Sequence, residues 1–126
     1  MMEFINEHHE HLFFDCLETD QTDAGDRERL SFFYLISSLA DGRSKIGSIY
    51  DFNDRALKRA AIAEMDLSSG SLAMLKMAMH LYNGHNKDYK ISILDAFSNL
   101  DEDHIKVAFQ AIQIRLGIEG SDHGAF

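Results

Sequence analysis

Leu30-Ser31-Phe32-Phe33-Tyr34-Leu35-Ile36-Ser37-Ser38-Leu39 decides how the rest of the chain is read. Leu30, Phe32, Phe33, Leu35, Ile36 and Leu39 fall almost all round a helix of 3.6 residues per turn, leaving it hardly any polar side. Such a helix belongs at the centre of a fold, with amphipathic partners packed about it. It should start near Asp26 and end at the turn Asp41-Gly42, where glycine takes the left-handed conformation at no steric cost.

The partners read outward from it. On the N-terminal side, Ile5, His9, Leu12, Phe13, Cys16 and Leu17 make one helical stripe, with Glu7, Glu10, His11, Asp15 and Glu18 on the opposite face. His9 is placed at the edge of the core and Cys16 within it as a structural thiol. Thr19 to Gly25 has the composition of a loop. On the C-terminal side a short helix is expected from Lys45 to Tyr50. Asn53 or Asp54 would then cap a helix running to Glu64, with Leu57, Ala60, Ala61 and Ile62 inward. Ser68 and Ser69 cap a Leu/Met/Ala-rich helix from Ser71 to Tyr82, in which Met74, Met77 and Met79 read as core. Ile91 to Leu100 reads as a short helix, although the alternation of Tyr89, Ile91 and Ile93 also suits a strand. Asp101 caps a final helix whose core stripe is Ile105, Phe109, Ile112 and Leu116, and Gly117 stops it. The fold class is therefore all-α: a compact single-domain bundle of five to seven helices over residues 1–118, with 119–126 a frayed tail.

At 126 residues with 45% apolar and 26% charged types, the chain has the composition of one soluble globular domain. Cys16 is its only cysteine, so no intrachain disulfide and no thiolate metal cluster can form. The opening ten residues lack the basic start and apolar run of a secretion signal, and no apolar run approaches a membrane span. A cytoplasmic setting is expected. The net charge of −9 is unevenly spread, because residues 1–29 hold nine acids against two bases.

Motifs for chemistry are tested and fail. Gly42 and Gly47 have the spacing of a phosphate loop, but Ser48 stands where its lysine belongs. Asp20 to Ser31 places Gly25 at the turn of a calcium loop, yet Ala24 and Ser31 occupy ligand positions. His8, His9, Glu10 and His11 miss the zinc-protease spacing, and a solvated face with histidines beside carboxylates explains them. No metal, no cofactor and no catalytic residue is assigned. The stretch Ala61 to Leu75 resembles a helix–turn–helix, with Arg55, Lys58 and Arg59 as a basic patch on the preceding helix and Ser69, Ser71 and Lys76 on the second. Against the net charge that patch is thin, since phosphate neutralisation supplies most non-specific affinity.

Phe33-Tyr34-Leu35-Ile36, Ser44 to Phe52, Ser68 to Ser71, Leu81 to Gly84, Asn99 to Asp101 and Ala111 to Arg115, in that order, carry a further likeness. Together they resemble an uncharacterised family of small proteins from Gram-positive bacteria, their phages and integrative elements. The resemblance implies an accessory role, control of the element or antagonism of a host system, and supplies no site residues.

The reading is a non-enzymatic protein-binding regulator or inhibitor. Glu3, Glu7, Glu10, Asp15 and Glu18 would form the contact surface for a partner with a basic face. Its alternatives are a degenerate helix–turn–helix DNA-binding regulator and a His/carboxylate metal enzyme. No membrane partner is expected, and a homodimer is compatible with everything above.

Overall fold

Six helices and one two-residue-stranded hairpin make up the described part of the molecule, residues 2–58, 65–83 and 91–118 of a computed structural model. They are α1 (Glu7–Asp20), α2 (Arg27–Ser37), α3 (Gly42–Ile49), β1 (Tyr50–Asp51), β2 (Ala56–Leu57), α4 (Ser69–Asn83), α5 (Ile93–Ser98) and α6 (Glu102–Leu116). The expected tail 119–126 lies outside the described residues, as do Arg59, Ala60, Ala61, Ile62 and Tyr89.

The all-α reading holds, with α2 at the centre. Every residue from Ser31 to Leu39 is buried, and α1, α4 and α6 all pack against this helix. Phe32, Phe33 and Leu35 have no exposed surface at all, so each contributes about 1.5–3 kcal/mol of apolar burial. Met74 and Met79 of α4 are core, as expected. Local caps set the helix starts: Asp26, Ser92 and Asp101 each accept a backbone N–H three residues on, at 2.9–3.2 Å. Gly117 ends α6 at φ 73°, and Ile118 N–H closes the cap on the Gln113 carbonyl at 2.9 Å.

Four expectations are corrected. First, α2 stops at Ser37, and Gly42 opens the next helix rather than closing this one. A Cβ on Gly42 would stand 2.5 Å from the Ile36 carbonyl oxygen, so the glycine is needed for close approach of α3 to α2. Second, no helix begins at Asn53 or Asp54. Asp51 Oδ1 accepts the amides of Asn53 at 2.8 Å and Asp54 at 3.0 Å, and Arg55 takes the left-handed φ of 52°. The chain thereby doubles back, pairing Tyr50 with Leu57 and Asp51 with Ala56 in an antiparallel hairpin. Third, the buried residues of α6 are Val107, Ala108, Gln110 and Ala111, while Phe109 and Leu116 are exposed. Against a central helix as bulky as α2 the close contacts fall to Ala108 and Ala111, and Phe109 and Leu116 are turned to the flanks. Fourth, His9 lies inside the core, not at its edge. Residues 91 and 92 precede α5 without strand pairing.

Candidate functional site

The outward face of α1 presents Glu7, Glu10, Asp15 and Glu18 to solvent, and Glu3 is exposed on the segment leading into the helix. Asp15 meets Arg43 of α3 at 2.8 Å. Among the described residues Glu7, Glu10 and Glu18 form no ion pair. Glu7 and Glu10 lie in the first turn, where a negative charge complements the helix dipole. Glu18 lies in the last turn, where it opposes the dipole, and no basic residue of that turn offsets it.

The cations of the DNA-binding alternative are dispersed. Arg55 stands on the hairpin turn, not on a helix, and its guanidinium grips Asp20 through Nε at 3.1 Å and Nη2 at 3.0 Å. Lys58 Nζ donates to the Gly47 carbonyl at 2.8 Å. Arg59 lies outside the described residues. Ser69 opens α4, and the Ser71 amide is taken by Ser68 Oγ at 3.2 Å, so this serine pair caps the helix. Lys76 lines a small cavity with Leu72, Asp95 and Asn99.

Asp20, expected in the loop after α1 and at the start of a failed calcium motif, is instead the last residue of that helix and is buried. Its side chain is wholly buried, yet it accepts from Thr22 Oγ1 at 2.5 Å, from the Tyr50 hydroxyl at 2.6 Å and from Arg55. The Tyr50 oxygen in turn accepts from Arg29 Nε at 2.9 Å; Arg29 also bonds Asp26 Oδ2 at 2.9 Å and covers the Tyr82 ring. Burial by itself pushes the Asp20 carboxyl up, but the bonds from Arg55, Thr22 and Tyr50 together hold it below the ordinary carboxylate range. Burial and then Asp20 push the Tyr50 phenol up to about 12. The network ties the end of α1 to the hairpin and to α2.

No group of three His, Cys, Asp or Glu able to hold a metal occurs among the described residues. His8 and His11 are exposed while His9 points inward, so the histidine run is split between two faces. Cys16 is buried, and desolvation pushes its thiol up to about 12, which leaves no thiolate for nucleophilic work. His104 and Asp101 are joined at 2.8 Å, but Asp101 also caps α6 through the His104 amide, so the pair is part of a helix start. It borders a polar cavity of about 230 Å³ with Ser68, Ser71 and Asn99. An apolar groove of about 170 Å³ runs between α2, α4, α5 and α6, flanked by the exposed Ile93.

No described helix is long and apolar enough to cross a membrane. The profile of a family of unknown function (DUF6075) matches residues 1–124. No curated protein and no solved structure matches the chain.

Proposed function

We propose, for a chain that belongs to the DUF6075 family of unknown function, that it works as a non-enzymatic protein-binding regulator whose contact surface is the acidic face of α1. The observation that carries the reading is Glu18. It is exposed, forms no ion pair among the described residues and sits at the helix end where its charge costs stability. Glu7 and Glu10 continue the same negative face and form no ion pair among the described residues. A surface of one sign steers association with a partner of the other and suppresses wrong pairings. The partner is then a protein with a basic groove. An inhibitor that occupies such a groove in place of nucleic acid suits both this charge and the accessory role in a mobile element that the resemblance implies. A cytoplasmic site of action belongs to the same reading. Of the cations that the DNA-binding alternative would use, Arg55 is engaged by Asp20, while Arg59 lies outside the described residues.

The test compares affinity capture from nuclease-treated host lysate by the wild-type protein and by a Glu7→Lys/Glu10→Lys/Glu18→Lys variant. A basic partner held by the first, released by moderate salt and lost by the second is expected. The same partners on both proteins overturn the assignment of this face. Enrichment that needs intact nucleic acid overturns the protein-binding reading itself.

A further inference from the structure

Residues 2–6 lead into α1 outside any helix or strand, bending at Ile5 and Asn6, and are fastened at four points. The Glu3 amide donates to Gln110 Oε1 of α6 at 3.0 Å, and the Glu3 carbonyl accepts from the Tyr34 hydroxyl of α2. The Phe4 ring packs against His9, Phe13, Phe14 and Tyr34 at 5.0–5.8 Å between centroids. The Ile5 amide donates to His9 Nδ1 at 3.2 Å.

That last contact dictates the state of His9. A nitrogen that accepts from an amide carries no proton, so Nδ1 is bare. Nε2 lies 2.9 Å from the Tyr34 carbonyl oxygen, an acceptor with no proton to give, so Nε2 holds the hydrogen and donates it. Both ring nitrogens are spoken for by backbone groups, and only the neutral imidazole satisfies both. Burial opposes a proton on the ring most, the Tyr34 carbonyl of α2 favours one, and His104 of α6 and His8 of α1 oppose it through their own charge. Glu3 on the segment acts on Tyr34, and Asp103 and Lys106 of α6 line the cavity beside the segment. Glu3 meets Tyr34 through its backbone, and among the described residues no carboxylate bonds the imidazole.

We propose that residues 2–6 are an acid-released strap: a proton taken from solvent at His9 Nδ1 turns the acceptor of the Ile5 amide into a second donor, and the segment lifts away, uncovering the Phe13–Tyr34 surface beneath Phe4. The two N–H groups then oppose each other, and a positive charge lies among aromatic rings. Lifting the strap returns the Ile5 amide to water and opens the ring to solvent. A cavity of about 240 Å³ under Glu3, Phe4 and Ile5 already borders the uncovered side. Burial holds the His9 proton affinity down, to a pKa of about 4, so the strap is closed at neutral pH and opens in mild acid.

The experiment follows the His9 ring nitrogens and the Ile5 amide by nuclear magnetic resonance in the full-length protein from pH 7.5 to about 3, a range that brackets the His9 midpoint near 4. At neutral pH the Nε2–H tautomer is expected. On acidification, Ile5 protection against hydrogen exchange, corrected for intrinsic rate, should fall at least about tenfold with the midpoint of His9 protonation, while amides of α2 and α4 stay protected. In His9→Gln, whose amide can both accept and donate, Ile5 should stay protected throughout. An Nδ1–H tautomer overturns the proposal. So does His9 titrating without a change at Ile5, or Ile5 release at the wild-type pH in His9→Gln. Simultaneous loss of α2 and α4 protection replaces the strap with global unfolding and also overturns it. Should His9→Gln fail to fold, the wild-type tautomer and the coincidence of the two midpoints decide alone.

Discussion

His9 and Asp20 lie on the same buried face of α1, near its two ends, and both are polar groups withdrawn from water. His9 is kept neutral: two backbone groups take its two nitrogens, and its surroundings are the rings of Phe4 and Tyr34. Asp20 is kept ionised by a guanidinium and two hydroxyls. A buried polar residue can thus be satisfied by removing its charge or by answering it. The first solution gives way as the pH falls toward 4, and the second holds to lower pH. Both make the helix a tie between distant parts of the chain, the N-terminal segment at one end and the hairpin at the other.

The comparison is broken most severely at Asp20. Asp20→Ala leaves the buried Tyr50 hydroxyl without its acceptor and Arg55 without its partner. A loss of about 3 kcal/mol in urea-measured stability is expected, the upper end of the scale for hydrogen bonds to a charged group, because the Tyr50 hydroxyl stays buried while the part-exposed Arg55 returns to water. Loss below about 1 kcal/mol would show that the network is dispensable.

Acid acts on the other end, and its sign follows from the direction of the shift. Burial lowers the His9 pKa from 6.5 to about 4. Between those values the unfolded chain binds more protons than the folded one, so His9-linked stability is fully present above about 6.5 and is lost as the pH falls toward 4. The loss amounts to about 3 kcal/mol at most. Urea midpoints at pH 7.5 and 4.5 measure it, and His9→Gln should flatten the difference. Asp20, whose pKa is also depressed, keeps its contribution through this window and loses it only below the ordinary carboxylate range.

Two hydroxyl deletions sharpen the contrast. Tyr50→Phe removes the bridge between Asp20 and Arg29 and should cost about 1–2 kcal/mol without changing the pH profile above pH 5. Tyr34→Phe removes only the hydroxyl that holds the Glu3 carbonyl, leaving the backbone acceptor of His9 in place; about 1 kcal/mol is expected. A flattened acid profile in Tyr34→Phe would mean that His9 does not act independently of that hydroxyl. The smallest effect belongs to the exposed face. Glu18→Lys should raise stability by a few tenths of a kilocalorie by reversing a charge that opposes the helix dipole, and a distinct loss would assign Glu18 an intramolecular role.

Much of the helical frame was legible because its causes are local. A cap reaches three residues, so Asp26, Ser68, Asp101 and Gly117 announce helix ends within the stretch that forms them. The apolar circumference of Leu30 to Leu39 announces its own burial. The acidic face of α1 was legible for the same reason, since helical spacing alone separates Glu7, Glu10, Asp15 and Glu18 from Leu12, Phe13 and Cys16. The hairpin was not, although Asp51 carried a signal for it: an aspartate can receive two following amides in a turn as readily as its neighbours can cap a helix.

By itself, then, the sequence determined an all-α domain, the identity of its central helix, most helix limits and the polarity of α1. Tertiary structure alone decided which face of α6 is buried, that His9 is inside and neutral, and that Asp20 and Arg55 meet across 35 positions. Periodicity and capping act within a turn or two of one segment. The rotation of α6 depends instead on the space α2 leaves opposite it, and the state of a buried ionisable group on whichever distant atoms packing brings within about 3 Å.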